Sequence, residues 1–233
     1  MCGRFVIAKE LGDISELFEV DQIHEEFPVT NFNVAPTTNI PIIVEREIEG
    51  LPSREIHKSR WGLVPSWAKE IATAPLINAR IESVLEKPSF KESAVSKRCI
   101  IPVSGYYEWQ TVGDTKDPYY IYPEYGMLAL AGIYSWWRDP KKSADDPTRW
   151  LLTAALLTKE SSPSLSFIHN RNPVFLSPDN ADAWLAPDYQ TTQELLLALS
   201  EESDELSTEL SRHVVSKAVG TVANNSPDLI KAI

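Results

Sequence analysis

Cysteine is nearly absent from this chain of 233 residues, which holds only Cys2 and Cys99. Their spacing fits neither a metal-binding nor a disulfide framework, and two lone thiols suit a reducing cytoplasm. The four histidines, at 24, 57, 169 and 213, are scattered and suggest no zinc cluster, so no metal or cofactor is expected. Walker A, G-x-G-x-x-G and G-x-S-x-G runs are missing. Their absence removes the usual signatures of phosphate-cradling loops, dinucleotide binding and α/β-hydrolase chemistry. No apolar run is long enough to span a membrane, and the first residues lack the features of a signal peptide. Basic charge is in deficit, with 22 Lys and Arg against 33 Asp and Glu, a net charge of -11. That argues against a generic, charge-driven nucleic-acid binder. The deficit is uneven: residues 1–100 carry 12 basic against 15 acidic side chains, and the remainder 10 against 18. A local basic groove built from the first half is therefore compatible with the totals. The acidic run Glu201-Glu202-Ser203-Asp204-Glu205 reads as solvated surface.

Apolar positions at Leu11, Ile14, Leu17 and Phe18 predict a helix over 10–20, and residues 21–36 read as loop. Strands are expected at 40–44 and 54–61, at 99–103, in a 105–111/118–122 hairpin across Gly113-Asp114, in a 127–136/150–157 pair, and near 173–176 and 214. Helices are expected at 78–85, 179–185 and 192–199, with 91–97 as loop or helix. Strands arrive in hairpins and no linker or repeat divides the chain. This predicts an α+β fold: one domain over residues 1–233, with antiparallel sheets forming a distorted, barrel-like core and peripheral helices.

Cys2 is the most informative residue. Removal of Met1 is favoured by the small side chain that follows it and would leave an α-amine and a thiol on adjacent carbons. With ordinary pKa values of about 8 and about 8.5, both are usable nucleophiles near neutrality. Such a 1,2-aminothiol traps an aldehyde twice, as an imine and then as a five-membered thiazolidine. The plain alternative is that Cys2 is a small buried hydrophobe. Three further stretches could carry chemistry. In Ile77-Asn78-Ala79-Arg80-Ile81-Glu82, Asn78 would cap a helix and Arg80 would meet an anion. In Gly105-Tyr106-Tyr107-Glu108-Trp109, alternation puts Tyr106 and Glu108 on one face, where a carboxylate between aromatics suits acid–base work; an exposed Glu opposite a Lys is the alternative. In Ile168-His169-Asn170-Arg171, His169 is either a proton shuttle or a buried side chain bonded to a carbonyl. Trp61 to Trp67 forms a Gly/Pro-shaped loop whose aromatics would stack on bases, unless they belong to the core.

Together these stretches resemble the SOS response-associated peptidase (SRAP) family of abasic-site processing proteins. The resemblance rests on Met1-Cys2-Gly3-Arg4-Phe5, Asn33-Val34-Ala35-Pro36, the run from Arg60 to Ala68, Ile77 to Glu82, Arg98 to Pro102 with Tyr106 to Trp109, Ile168-His169 with Arg171, and Ala218 to Gly220 leading to Asn225-Ser226-Pro227. The order holds from end to end. It implies covalent capture of abasic sites in single-stranded DNA by Cys2, protecting the lesion, with associated lyase or (auto)peptidase activity. Asn78 would hold the amine and the sugar, Glu108 would move protons in ring opening and closure, and His169 would assist near the sugar oxygen. Arg4 and Arg80 would hold phosphates, while Trp61, Trp67 and Pro36 would line the DNA groove. A monomer in a bacterial cytoplasm, nucleoid-associated when bound to damaged DNA, is expected. Where the family usually shows Asp-Arg-Met-Pro after the histidine, this chain has Asn170-Arg171-Asn172-Pro173, so an ionised neighbour of His169 is missing. Two other classes remain open. One is a class II glutamine amidotransferase-like hydrolase, although its Arg-His-Arg-Gly-Pro and Asn-Gly-Glu runs do not occur. The other is a non-catalytic DNA-binding module.

Overall fold

A computed structural model describes residues 2–233. The strands are β1 (Arg4–Ile7), β2 (Gln22–Ile23), β3 (Asn31–Val34), β4 (Asn39–Ile48), β5 (Leu51–Trp61), β6 (Asn78–Arg80), β7 (Arg98–Val103), β8 (Gly105–Val112), β9 (Thr115–Tyr122), β10 (Leu128–Arg138), β11 (Trp150–Glu160), β12 (Arg171–Pro173), β13 (Phe175–Leu176) and β14 (Ser211–Val214). The α-helices are α1 (Leu11–Leu17), α2 (Lys91–Ser96), α3 (Pro178–Leu185) and α4 (Gln193–Thr208).

The long hairpins close on themselves. β5 pairs with β4, β4 with β7, β7 with β10 and β10 with β11, all antiparallel. β11 then returns to β5 in parallel, with Thr153 opposite Arg60 and Ala154 opposite Trp61, completing a five-stranded barrel. Closure removes the exposed strand edges that an open sheet would leave. The barrel-like core is as the sequence predicts; the parallel pairings of β11 with β5 and β6, and of β2 with β5, make the sheet mixed. β2 and β3 arise within the stretch read as loop.

A second sheet, ordered β14-β9-β8-β1-β3, lies between two apolar clusters. Phe5 and Tyr106 face the main core, whereas Val6 and Tyr107 face a smaller cluster with Tyr120, Val215, Val219 and Leu229. That is the period-two alternation expected of β1 and β8. Gly105 is required here, because a Cβ would stand 2.6 Å from the Tyr120 ring. Polar anchors fix the helices: Trp184 of α3 donates from Nε1 to Cys99 O at 3.1 Å and to Gly132 O at 3.3 Å. The acidic run is not simply solvated. It lies in α4, where Ser203 is buried, Asp204 pairs with the buried Lys159, and Glu202 accepts from Ser177 N at 3.4 Å. No helix among the described residues is long and apolar enough to cross a membrane.

Candidate functional site

β1 pairs with β8 so that Arg4 stands opposite Tyr107 and Phe5 opposite Tyr106. Cys2 lies just before β1, close enough to Glu108 for the carboxylate to act on its thiol. Cys2 is fully buried, with its Sγ 3.9 Å from Arg4 O. Burial, and next the negative charge of Glu108, push the thiol far above its ordinary value. It is therefore a protonated thiol at neutral pH. The same surroundings raise the Tyr106 phenol, first through burial and then through Cys2 and Glu108. Glu108 is itself buried in the sheet, and its cross-strand neighbour is Tyr119 rather than a lysine. Tyr106, Glu108 and Cys2 are thus close enough for their charges to act on one another. Met1, whose removal the sequence reading invokes, lies outside the described residues.

Asn78 reaches this corner from the barrel. It is not the helix cap predicted: it begins β6, whose three residues pair in parallel with Leu156, Leu157 and Thr158 of β11. The following 3-10 turn, Ile81–Ser83, has Arg80 at its N-cap position. Held as strand, Asn78 donates from Nδ2 to Cys2 O at 2.9 Å. Its Oδ1 is buried and accepts no hydrogen bond among the described residues. An orphaned acceptor beside Cys2 is a place for an incoming N–H or O–H.

Arg80 is exposed and opens onto a pocket shared with Glu160, His169, Asn170 and Arg171. His169 is half-buried, and its Nδ1 accepts from the Arg171 backbone N–H at 3.0 Å. The neutral ring therefore carries its proton on Nε2. The loop is tied down by a bidentate pair absent from the predicted site residues. Arg171 donates to both carboxylate oxygens of Glu82, at 2.7 and 2.9 Å, and to Thr158 O at 2.7 Å. Burial alone would raise the Glu82 carboxyl, but its hydrogen bonds, first the one from Arg171, hold it below the ordinary value. Both residues lie within motifs already singled out, one beside Arg80 and one beside His169, so the signal was proximity rather than type. Asn172 is buried, with Oδ1 accepting from Ser162 N at 2.7 Å, and shapes the loop rather than the pocket.

The remaining predicted residues divide. Arg4 is half-buried and donates to Asn33 Oδ1 at 2.7 Å and Val219 O at 2.9 Å, which ties β1 to β3 and to the C-terminal turns. Pro36 is half-buried in the turn after β3, where Thr37 N donates to Trp61 O at 2.8 Å. Trp61 is not a stacking surface. It is fully buried, lies 4.6 Å from the Phe5 ring and donates from Nε1 to Ile77 O at 3.1 Å. Its apolar bulk and a satisfied N–H make it a core residue. Gly62 then turns the chain at φ +134°, where a Cβ would also meet Arg60 and Pro75. Trp67, by contrast, is 63% exposed on an open groove with Arg60, Pro65, Ala68 and Ile71. Trp137 anchors that loop by donating to Ala68 O at 2.7 Å.

Comparisons with known proteins show the family and the fold. Residues 1–222 match the family model described as SOS response associated peptidase (SRAP). The chain is 37% identical over 236 residues to abasic site processing protein YoqW of Bacillus subtilis, across the full length of both. It is 31% identical to YedK, named as an abasic site processing protein of Escherichia coli, again over both full lengths. With HMCES of Gallus gallus, named likewise, it shares 30% identity over 87% of this chain and 66% of that one. A crystal structure of a protein from Bacteroides thetaiotaomicron, 24% identical, matches the whole of both chains with a TM-score of 0.81, so the fold is shared. A family match spanning nearly the whole sequence, over a buried Cys2 met by Asn78 and Glu108, places the chain in the SRAP family.

Proposed function

We propose that this protein processes abasic sites in single-stranded DNA by covalent capture through Cys2. The observation that carries the reading is the convergence on Cys2 of Asn78 and Glu108, from distant strands of two different sheets. Relatives across bacteria and birds bear the name abasic site processing protein, which supports the substrate class.

Loss of Met1 frees the Cys2 α-amine. An abasic deoxyribose opens to an aldehyde, and the amine adds to that carbon with loss of one water, giving an imine. The Sγ–H then adds across the C=N bond: sulfur bonds carbon and the proton passes to nitrogen, closing a thiazolidine. The sulfur follows the amine and gives up its proton as it bonds the imine carbon. Glu108 relays the proton between sulfur, nitrogen and the sugar oxygen, a reading that its interaction with the Cys2 thiol supports. Asn78 holds the Cys2 carbonyl and offers Oδ1 to the amine or a sugar hydroxyl. His169, with its proton on Nε2, and Arg80 serve the sugar oxygen and a flanking phosphate. Trp67 supplies a stacking surface, which suits single strands and needs few phosphate contacts.

A single-stranded oligonucleotide carrying one abasic site tests the reading on a denaturing gel. Wild type gives a shifted band without any reducing agent, and Cys2→Ala gives none. An equal band from Cys2→Ala, or none from wild type, overturns it.

A further inference from the structure

We propose that His24, Glu55 and His57 form a binding site for a divalent transition metal, best suited to zinc, separate from the Cys2 corner. The two histidines are 33 positions apart in sequence, but parallel pairing of β2 with β5 brings them together, with Gln22 opposite Glu55 and His24 N donating to Ile56 O at 3.1 Å. Glu55 and His57 share a face of β5 by their spacing of two. The rings of His24 and His57 stack at 4.0 Å, 20° from parallel. Both present Nε2 to the same atom, Glu55 Oε2, at 2.9 and 2.8 Å. All three donor atoms lie within 4.8 Å of one another.

Two imidazole nitrogens and one carboxylate oxygen make a donor set that zinc accepts, with water completing a tetrahedron. Bonds of about 2.0–2.1 Å hold neighbouring donors roughly 3.3 Å apart, so the ligands must part by about half an ångström. Glu55 is 99% buried by side chain, a costly place for a carboxylate that lacks compensation. Its hydrogen bonding is lopsided. Oε2 meets both histidines together with Nε and a terminal nitrogen of Arg46, while Oε1 is buried and accepts nothing among the described residues. One oxygen is crowded with donors, while the other is buried without one, so the carboxylate keeps acceptor capacity that a metal in place of Arg46 would draw on.

Arg46 occupies the cation position in the metal-free protein. Its side chain is 49% exposed and can withdraw to solvent, and His24 at 33% exposed leaves a route in. Binding then means that Arg46 swings out and each histidine shifts its ring proton to Nδ1. Along β5, Glu55 lies six residues, about 20 Å, before Trp61, the residue of this strand that packs on Phe5 next to the Cys2 end of β1. The consequence of binding is structural, because it cross-links the two-residue β2 to the barrel wall.

The test is calorimetric titration of chelator-treated, full-length protein with zinc chloride, with cobalt(II) as a visible probe of coordination. The expected result is one zinc per chain, a raised melting temperature and the intense visible bands of tetrahedral cobalt. His24→Ala and His57→Ala each weaken binding about 100-fold or more. Arg46→Ala tightens it, because the competing cation is gone, a change that adventitious surface binding does not produce. Capture of abasic DNA is unaltered in His24→Ala and Arg46→Ala. Failure of both wild type and Arg46→Ala to bind saturably, or retention of wild-type affinity by the histidine variants, overturns the proposal. Arg46→Ala keeps all three ligands, so it decides the matter even if His57→Ala misfolds.

Discussion

Asn78 shows how much one side chain gains from being held as strand. On a frayed helix start its amide would face solvent; on β6 it grips the Cys2 carbonyl and leaves a buried acceptor beside it. A single neutral hydrogen bond of this kind is worth about 1 kcal/mol, close to fivefold in a rate it controls. Asn78→Ala therefore slows crosslinking at least about fivefold while single-stranded affinity changes little, as time courses and binding titrations with a stable abasic analogue will show. Glu108→Gln removes the proton relay, and loss of general acid–base assistance costs about 100-fold or more in the crosslinking rate. The Cys2 thiol responds in the opposite sense. Without the adjacent negative charge one of the two causes raising it disappears, so its alkylation by iodoacetamide becomes faster while burial still keeps it slow. A collapse of affinity in Glu108→Gln would instead assign the residue to architecture.

At the scale of elements, the Trp61–Trp67 loop separates two tryptophans that look equivalent in sequence. Trp61 ends β5 and closes the barrel seam beside Ala154, so its ring fills the core against Phe5. Trp67 lies past the Gly62 turn and faces solvent. Truncating a buried aromatic costs about 3–5 kcal/mol, so Trp61→Ala is strongly destabilised in a urea titration. Trp67→Ala keeps the wild-type midpoint and loses about 1–3 kcal/mol of single-stranded DNA affinity, the cost of one stacked base. Hairpins such as β8–β9 and β10–β11 were legible because each declares itself locally, through alternation and a turn. β3, β6 and the parallel return of β11 were not. They are short or polar, and their partners lie far along the chain: Asn78 reads as a cap until Leu156 is known to lie beside it. The candidate site was legible in its residue types, Cys2, Asn78, Glu108, His169 and Arg80, because each sits in a motif. The Glu82–Arg171 clamp and the His24–His57 stack were hidden, since only the fold brings those side chains together.

For the whole molecule, burial of weak acids sets the alkaline limit of stability. Burial pushes Cys2 and Cys99 far above 9.0, and it raises Tyr106, Tyr107 and Tyr120 above their ordinary 10.0. In the unfolded chain these groups release protons from about pH 9 upward, whereas the folded chain keeps them. Their contribution is therefore complete below about pH 9 and is lost progressively as pH rises toward the folded values. Each group in that window adds a slope of up to about 1.4 kcal/mol per pH unit. Denaturant midpoints measured from about pH 8 to about pH 11 should be flat at first and then fall steeply. A midpoint that holds constant to the alkaline end would mean that these side chains ionise in the folded state. The same burial keeps the Cys2 thiol protonated at neutral pH.

The central claim is that Cys2 captures the abasic aldehyde through both its amine and its sulfur. The mass of the crosslinked species tests this most directly, with the site of attachment mapped after trypsin cleaves beyond Cys2-Gly3-Arg4. The account predicts an adduct of residues 2–233 and the oligonucleotide less one water, attached at Cys2 and stable without borohydride. An adduct that retains Met1, or one carried on a lysine, would contradict it.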